Sequence, residues 1–147
     1  MERKKFLRTL GAGAAFAIAF PCIGACSKDN NSEEGNTPVP SGVDFTVDLA
    51  STEGEKLAEN GSFIRKNLVI VAKNLEGEFV AASQVCSHQG YDEVEFSGQN
   101  GGIFYCGVHG SRFEQNGTPT NQVDTQPAKA LKVFKTEVSG NILRVFE

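Results

Sequence analysis

Histidine is nearly absent from this 147-residue chain, which contains only two, and tryptophan does not occur at all. Cysteine is also rare, with four residues. The main apolar stretch, residues 10–20, is shorter than the roughly 20 apolar residues of a membrane-spanning helix, so a transmembrane anchor is not expected. Any chemistry that relies on histidine and cysteine must therefore be concentrated at very few positions.

The first 25 residues have the layout of an export signal. A basic run at residues 3–8 is followed by the apolar stretch and then by small residues that lead to Cys26. This order predicts a secretory signal peptide over residues 1–25, which would be removed and take no part in the fold.

The end of this segment predicts a lipid anchor. The letters IGAC at residues 23–26 resemble the lipobox of bacterial lipoproteins, in which the cysteine is lipidated and becomes the first mature residue. Cys26 is therefore the expected attachment point to the membrane, and Cys22 fits less well because Pro21 precedes it. An ordinary signal peptide without lipidation is the alternative. The opening ERKKFLR also resembles a twin-arginine export signal, although Lys4 replaces its second arginine.

The remainder of the chain is acidic. The formal net charge is −4, and the first 25 residues contribute +3 through four basic and one acidic side chain, which leaves −7 for residues 26–147. We therefore expect no nucleic-acid partner and instead a basic docking surface on a protein partner. The export signal predicts a location in the bacterial cell envelope, with the domain anchored to the membrane and facing the periplasm or the exterior.

Residues 26–42 are predicted to be the lipidated cysteine and a flexible tether, because they are polar and rich in Gly and Pro and show no apolar periodicity. A folded domain is expected over residues 43–147. Its short apolar segments are separated by Gly- and Asn-rich turns, and helix is expected only as about one turn near residues 53–61. This pattern predicts an all-β fold, an antiparallel β-sandwich or barrel. The expected strands are 44–49, 67–73, 79–85, 92–96, 103–106, 130–138 and 141–146.

Both histidines and two of the cysteines lie in two short segments. Cys86-x-His88 follows one predicted strand and Cys106-x-x-His109 follows another, with seventeen residues between His88 and Cys106. Matched Cys/His pairs are typical of metal sites, and two strand-end loops can meet at one tip of a β domain. A glycine follows each pair closely, where it would let backbone N–H groups approach inorganic sulfide.

The pattern C-x-H, seventeen residues, C-x-x-H-G-S-x-F resembles the Rieske family of iron–sulfur proteins. The resemblance continues to the end of the chain, through the letters QPA at residues 126–128 and the final predicted hairpin. It implies a Rieske-like antiparallel β fold in which two loops at one tip hold one [2Fe-2S] cluster. By this resemblance, Cys86 and Cys106 bind one iron, while His88 and His109 bind the other at an exposed tip.

The resemblance also implies a tuned reduction potential. Two thiolates and two neutral imidazoles leave the oxidised cluster without net charge, and Rieske centres span about −150 to +300 mV. Ser111 is expected at the cofactor, because this serine donates a hydrogen bond to a bridging sulfide in high-potential members. Phe113 replaces the tyrosine that donates a second bond in those members. Tyr91 and Val108 replace the loop cysteines that form a disulfide in quinol-oxidising members, which argues against quinol oxidation.

The sequence leaves three candidate functions open. The favoured one is an extracytoplasmic, membrane-tethered Rieske-type electron-transfer protein that works with an unidentified redox partner protein. The alternative is the small iron–sulfur subunit of an oxidase, a reductase or a divergent quinol-oxidising complex. A zinc-braced binding lipoprotein fits less well, because zinc fingers pair like residues whereas each pair here mixes Cys and His. Stand-alone oxygenase activity is excluded, since the chain lacks the two further histidines of a mononuclear iron site.

Overall fold

The computed structural model of this chain describes residues 35–147. The predicted signal peptide, Cys22, Cys26 and most of the predicted tether lie outside the described residues. Within the described part, no helix is long and apolar enough to cross a membrane.

The regular secondary structure of the described residues consists of antiparallel β-strands and two short 3₁₀ turns, which confirms the all-β prediction. The first 3₁₀ turn, Gly54–Leu57, lies where a single helical turn was expected; the second is Gln99–Gly101. The strands are β1 (Asp44–Asp48), β2 (Phe63–Lys66), β3 (Val69–Lys73), β4 (Phe79–Ser83), β5 (Val94–Ser97), β6 (Ile103–Cys106), β7 (Arg112–Phe113), β8 (Val133–Ser139) and β9 (Ile142–Phe146).

Strand β3 lies between two apolar cores. The six-stranded sheet has the order β1-β9-β8-β4-β3-β2, and a separate three-stranded sheet has the order β5-β6-β7. Val69 and Val71 of β3 pack into one apolar cluster, while Ile70 and Ala72 pack into the other. Because successive side chains of a strand point to opposite faces, a strand buried on both faces must be apolar throughout. This explains the unbroken run VIVA in the sequence.

The second core lies beneath the predicted metal loops. Phe104 is fully buried there, and its ring meets that of Phe96 edge-on at a centroid distance of 5.5 Å. Cys86 and Cys106 belong to the same apolar cluster. Burial of each large apolar side chain stabilises the fold by about 1.5–3 kcal/mol, so the base of both loops is firmly packed. The first loop joins β4 to β5 and the second joins β6 to β7, as the strand-end prediction required.

The turn between β2 and β3 differs from the prediction. The expected strand began at Asn67, but Asn67 and Leu68 have positive φ angles of 53° and 61° and form the turn itself. Two-residue hairpins of this kind need positive φ at both positions, which fits Asn but is unusual for Leu. Strand β2 was not predicted, since its four residues carry too short an alternation, and neither was the two-residue strand β7.

Residues 35–42 of the predicted tether contact the domain where they are described. The Thr37 N–H donates to the carbonyl of Gly90 at 3.2 Å, and Lys132 Nζ donates to the Pro40 carbonyl at 3.0 Å. Strand β1 then pairs with the last strand, β9. The two ends of the described chain are thus attached to the same sheet region, next to one of the predicted metal loops.

Candidate metal centre

The two Cys/His loops are built alike. In each loop the cysteine N–H donates to the carbonyl five residues later, and the glycine four residues later donates back to the cysteine carbonyl. These bonds close two small turns that point in a common direction from the sheet, with a histidine at the third or fourth position of each. The four bonds are Cys86 to Tyr91 at 2.7 Å, Gly90 to Cys86 at 2.9 Å, Cys106 to Ser111 at 2.9 Å and Gly110 to Cys106 at 3.0 Å.

The closing glycines are required by the backbone. Gly90 and Gly110 have φ angles of +70° and +79°, a region that other residues enter only with strain. A Cβ atom at Gly90 would also lie 2.6 Å from the carbonyl oxygen of Gly35, whereas one at Gly110 would meet no atom within 4 Å. The sequence spacing of Cys and Gly therefore encodes the turn, and the turn sets the position of the histidine.

The two thiols are buried, adjacent and free. Cys86 and Cys106 are 2% and 1% exposed. The Cys106 thiol donates a hydrogen bond to Cys86, which lowers the pKa of Cys86 to about 6 against the opposing effect of burial, with help from the His88 N–H. The pKa of Cys106 is raised, first by that same bond and then by burial. Backbone N–H groups of Val108 and His109 also point at the Cys106 sulfur, so both sulfurs lie in surroundings that favour thiolate once a metal replaces the shared proton.

The two imidazole rings contact each other edge to face. Their ring centroids are 4.9 Å apart and their planes are nearly perpendicular. His88 Nδ1 is buried without a hydrogen-bond partner, while its Nε2 lies 2.5 Å from Oδ2 of Asp124. His109 is exposed, and the ring of Tyr91 lies against it at 5.6 Å. The prediction that both histidines occupy an exposed tip is therefore right for His109 and wrong for His88, whose side chain is only 14% exposed beneath Asp124.

Ser111 and Phe113 are both buried at the base of the second loop, 5% and 2% exposed. The Ser111 hydroxyl lacks a partner in standard hydrogen-bond geometry, yet it is close enough to the Cys86 sulfur to contribute to the lowered pKa of that thiol. Phe113 belongs to the apolar cluster that contains both cysteines. The structure thus places Ser111 beside the two thiols of the candidate site.

A third loop, residues 121–129, covers the pair of Cys/His loops. Asn121 Nδ2 donates to the Gly110 carbonyl at 2.8 Å, and the Ser87 hydroxyl donates to the Lys129 carbonyl at 2.8 Å, so the third loop is tied to both of the others. A cavity of about 370 Å³ lies among the three loops. The sequence indicated this loop through the letters QPA, but it gave no signal that Asn121 and Asp124 would face the histidine loops.

The donors fit a two-iron cluster. The two thiols interact with each other and the two imidazole rings contact each other, so each like pair is available to one iron, which is the division of ligands in a Rieske centre. His88 Nδ1 is buried without a hydrogen-bond partner, and a buried polar atom of this kind fits a metal ligand. Among residues 35–147, no three His, Cys, Asp or Glu side chains surround a single point closely enough to hold one metal ion.

Comparison with protein families gives one match. The family model described as the Rieske [2Fe-2S] domain matches residues 43–136, which is most of the described part of the chain. Among curated proteins, none is similar enough to count as a match.

Similar solved structures include a ferredoxin, a plasma membrane Rieske protein and a Rieske monooxygenase. The ferredoxin of carbazole 1,9a-dioxygenase from Nocardioides aromaticivorans IC177 is 21% identical with a TM-score of 0.50, covering 62% of this chain and 91% of the ferredoxin. The cyanobacterial plasma membrane Rieske protein PetC3 from Synechocystis PCC 6803 is 27% identical with a TM-score of 0.46, covering 61% and 89%. The quaternary ammonium Rieske monooxygenase CntA is 17% identical with a TM-score of 0.50, and this chain spans 29% of its length.

Proposed function

Because the chain belongs to the Rieske [2Fe-2S] domain family, we propose that it is a one-electron carrier whose cluster is held by Cys86 and Cys106 on one iron and by His88 and His109 on the other. The observation that carries this proposal is the pairing of donors. The two sulfurs are adjacent and buried, and the two imidazole rings contact each other edge to face, with centroids 4.9 Å apart, on the side nearer to solvent. When bound, the cluster accepts and releases one electron at a potential raised by the imidazole ligands.

The proposed ligands lie in two environments: the cysteines are buried in an apolar core, and His109 is exposed to solvent. The thiols sit on the apolar core of Phe104 and Phe113, which excludes water, and backbone N–H groups directed at the sulfurs stabilise their negative charge. His109 is the only one of the four donor residues classed as exposed among those described, so the electron would enter and leave at this ring. We therefore assign the electron port to His109 rather than to both histidines.

The first experiment tests the cluster and its ligands. The full chain, produced in iron-replete cells, should contain two irons and two labile sulfides and show the visible and EPR spectra of mixed Cys/His ligation. Cys86→Ser and His109→Ala should lose that spectrum. Ser62→Ala is the control, because the hydroxyl that it removes donates to the Glu59 carbonyl outside the two loops. Stoichiometric zinc in place of iron in the wild-type chain would sink the proposal.

We also propose that the domain works outside the cytoplasm, tethered to the membrane through a lipid on Cys26. The support is the order of basic, apolar and small residues before that cysteine, and all of them lie outside the described residues. Cys26→Ser should move the protein from the membrane fraction to the soluble fraction, while Cys22→Ser should leave it in the membrane. Retention of the Cys26 variant in membranes would show that something other than the lipid anchors the chain.

The exposed apolar surface bears on whether the domain is a mobile carrier or a permanent subunit, because a permanent subunit needs an apolar patch for its partner. The described fold exposes six large apolar side chains, of which three lie on the paired strands β8 and β9 and three lie outside the strands. They are Val39, Leu75, Val108, Val133, Val138 and Ile142. Copurification from native membranes distinguishes the two cases, because a subunit of an oxidase or reductase would be recovered in a fixed ratio to its partner.

A further inference from the structure

Asp124 contacts the outer face of a proposed iron ligand. Its Oδ2 lies 2.5 Å from Nε2 of His88, on the opposite side of the ring from the buried Nδ1 that has no partner. Among residues 35–147, no hydrogen bond reaches a ring nitrogen of His109, so the two histidines differ in this respect. The arrangement matches the carboxylate–histidine–metal series found at many metal sites, in which the carboxylate fixes the tautomer of the ligand.

Hydrogen bonds other than the one to His88 also hold the Asp124 carboxylate and its loop in place. Its other oxygen, Oδ1, accepts the backbone N–H of Gln126 at 2.7 Å, and the Gln122 side chain donates to the Asp124 carbonyl at 2.8 Å. The loop itself is tied to both Cys/His loops through Asn121 and Ser87. Both carboxylate oxygens are thus engaged, Oδ2 with His88 and Oδ1 with Gln126, which fixes the orientation of the Asp124 side chain toward the ring.

We propose that Asp124 is a positioning residue that fixes His88 with Nδ1 toward the iron and lowers the reduction potential of the site. This proposal rests on the function proposed above. Nε2–H donates to the carboxylate, which makes the imidazole a more basic ligand and favours the oxidised iron. The fixed negative charge also opposes the arrival of an electron, although partial exposure of the carboxylate screens this effect. His109, without such a partner, stays free to meet a redox protein.

The test is the reduction potential of the cluster-loaded full chain with Asp124→Asn. We expect the reduction equilibrium to shift about tenfold toward the reduced form, which corresponds to ~59 mV upward for a one-electron couple. Asp92→Asn is the matched control, because Asp92 is an exposed carboxylate in the segment after the first loop that no described hydrogen bond or ion pair joins to His88. Pulsed EPR on protein with ¹⁵N-labelled histidine gives a second readout, in which the coupling of one ligand nitrogen should change and the other should not.

The outcomes are distinct. Equal shifts in the Asp124 and Asp92 variants, with both nitrogen couplings unchanged, would overturn the proposal and leave the electron-carrier function intact. Loss of the cluster in Asp124→Asn but not in Asp124→Glu would support positioning by a carboxylate, whereas loss in both variants would count against it. A wild-type chain without any [2Fe-2S] cluster would overturn the proposed function and this inference together.

Discussion

Ser111 and Phe113 lie two residues apart at the base of one loop, but only the serine brings a hydroxyl to the sulfurs. Ser111 is buried, and its proximity to Cys86 helps to lower the pKa of that thiol. Reduction adds negative charge to the site, and a buried hydroxyl that donates to it stabilises the reduced form more than the oxidised form. Phe113 packs with the cysteines and has nothing to donate.

Ser111→Ala should therefore lower the reduction potential. Loss of one hydrogen bond that differs by about 1 kcal/mol between the two redox states corresponds to a fall on the order of 40 mV. Protein-film voltammetry of the loaded chain measures it. Ser62→Ala is the control, because it removes a hydroxyl bonded only to the Glu59 carbonyl, away from the loops. An unchanged or higher potential would mean that the Ser111 hydroxyl does not donate to the sulfur site.

At the scale of the elements, the sequence predicted features that local composition determines and missed contacts between residues that are distant in the chain. Strand β6 was predicted at its observed bounds, and the all-apolar run of β3 was found because local composition determines it. The turn at Leu68 was missed, since nothing in the sequence announces a leucine with positive φ. Asp124 was missed for a different reason: its partner His88 is 36 residues away, and sequence alone does not show which loop side chains meet.

The second Cys/His loop allows a test of whether its turn requires a glycine with positive φ. Gly107 and Gly110 would both present a new Cβ to open space, but only Gly110 has a positive φ. Gly110→Ala should lower the free energy of unfolding by about 1–2 kcal/mol, because an alanine is strained in the left-handed conformation. Gly107→Ala should change the free energy of unfolding little. Chemical denaturation followed by circular dichroism compares the variants. Equal losses in both would show that the loop tolerates no side chain for reasons other than backbone conformation.

At the scale of the whole molecule, the two ends of the domain are joined by ion pairs across the sheet. Arg144 Nε donates to Asp44 Oδ1 at 2.9 Å, and its Nη2 lies 2.6 Å from Oδ2, which links β1 to β9. Lys132 also pairs with the last residue, Glu147. The Arg144 hydrogen bond lowers the pKa of Asp44 in the folded state, and the Lys132 bond does the same for Glu147.

This arrangement predicts a pH dependence of stability with a definite sign. Since the folded-state pKa of Asp44 is below its unfolded value of about 3.9, its contribution is complete above that value and is lost as the pH falls through the folded-state pKa. The difference in melting temperature between wild type and Asp44→Asn should be constant from pH 7 to about 5 and then shrink toward pH 3. In an Arg144→Ala background, which lacks the partner of Asp44, the Asp44→Asn comparison should show no such convergence. A gap that widens in acid would contradict the assignment.

The charge of the whole molecule should determine which partners approach the electron port. Residues 26–147 carry −7, and a groove beside exposed His109 is lined by Glu93, Glu95 and the apolar Val108. Small oxidants of opposite charge can test this with stopped-flow rates on the reduced, loaded chain. The rate with the tris(phenanthroline)cobalt(III) cation should rise as ionic strength falls, and the rate with the hexacyanoferrate(III) anion should fall, because the Debye length grows beyond about 10 Å below 0.1 M salt.

A substitution beside His109 tests where the electron leaves. Glu93→Gln should slow the reaction with the cation about threefold at low salt, more than Glu55→Gln does, since a triply charged oxidant at the His109 ring interacts more strongly with the nearer carboxylate. Identical effects of the two substitutions would place the port elsewhere than His109.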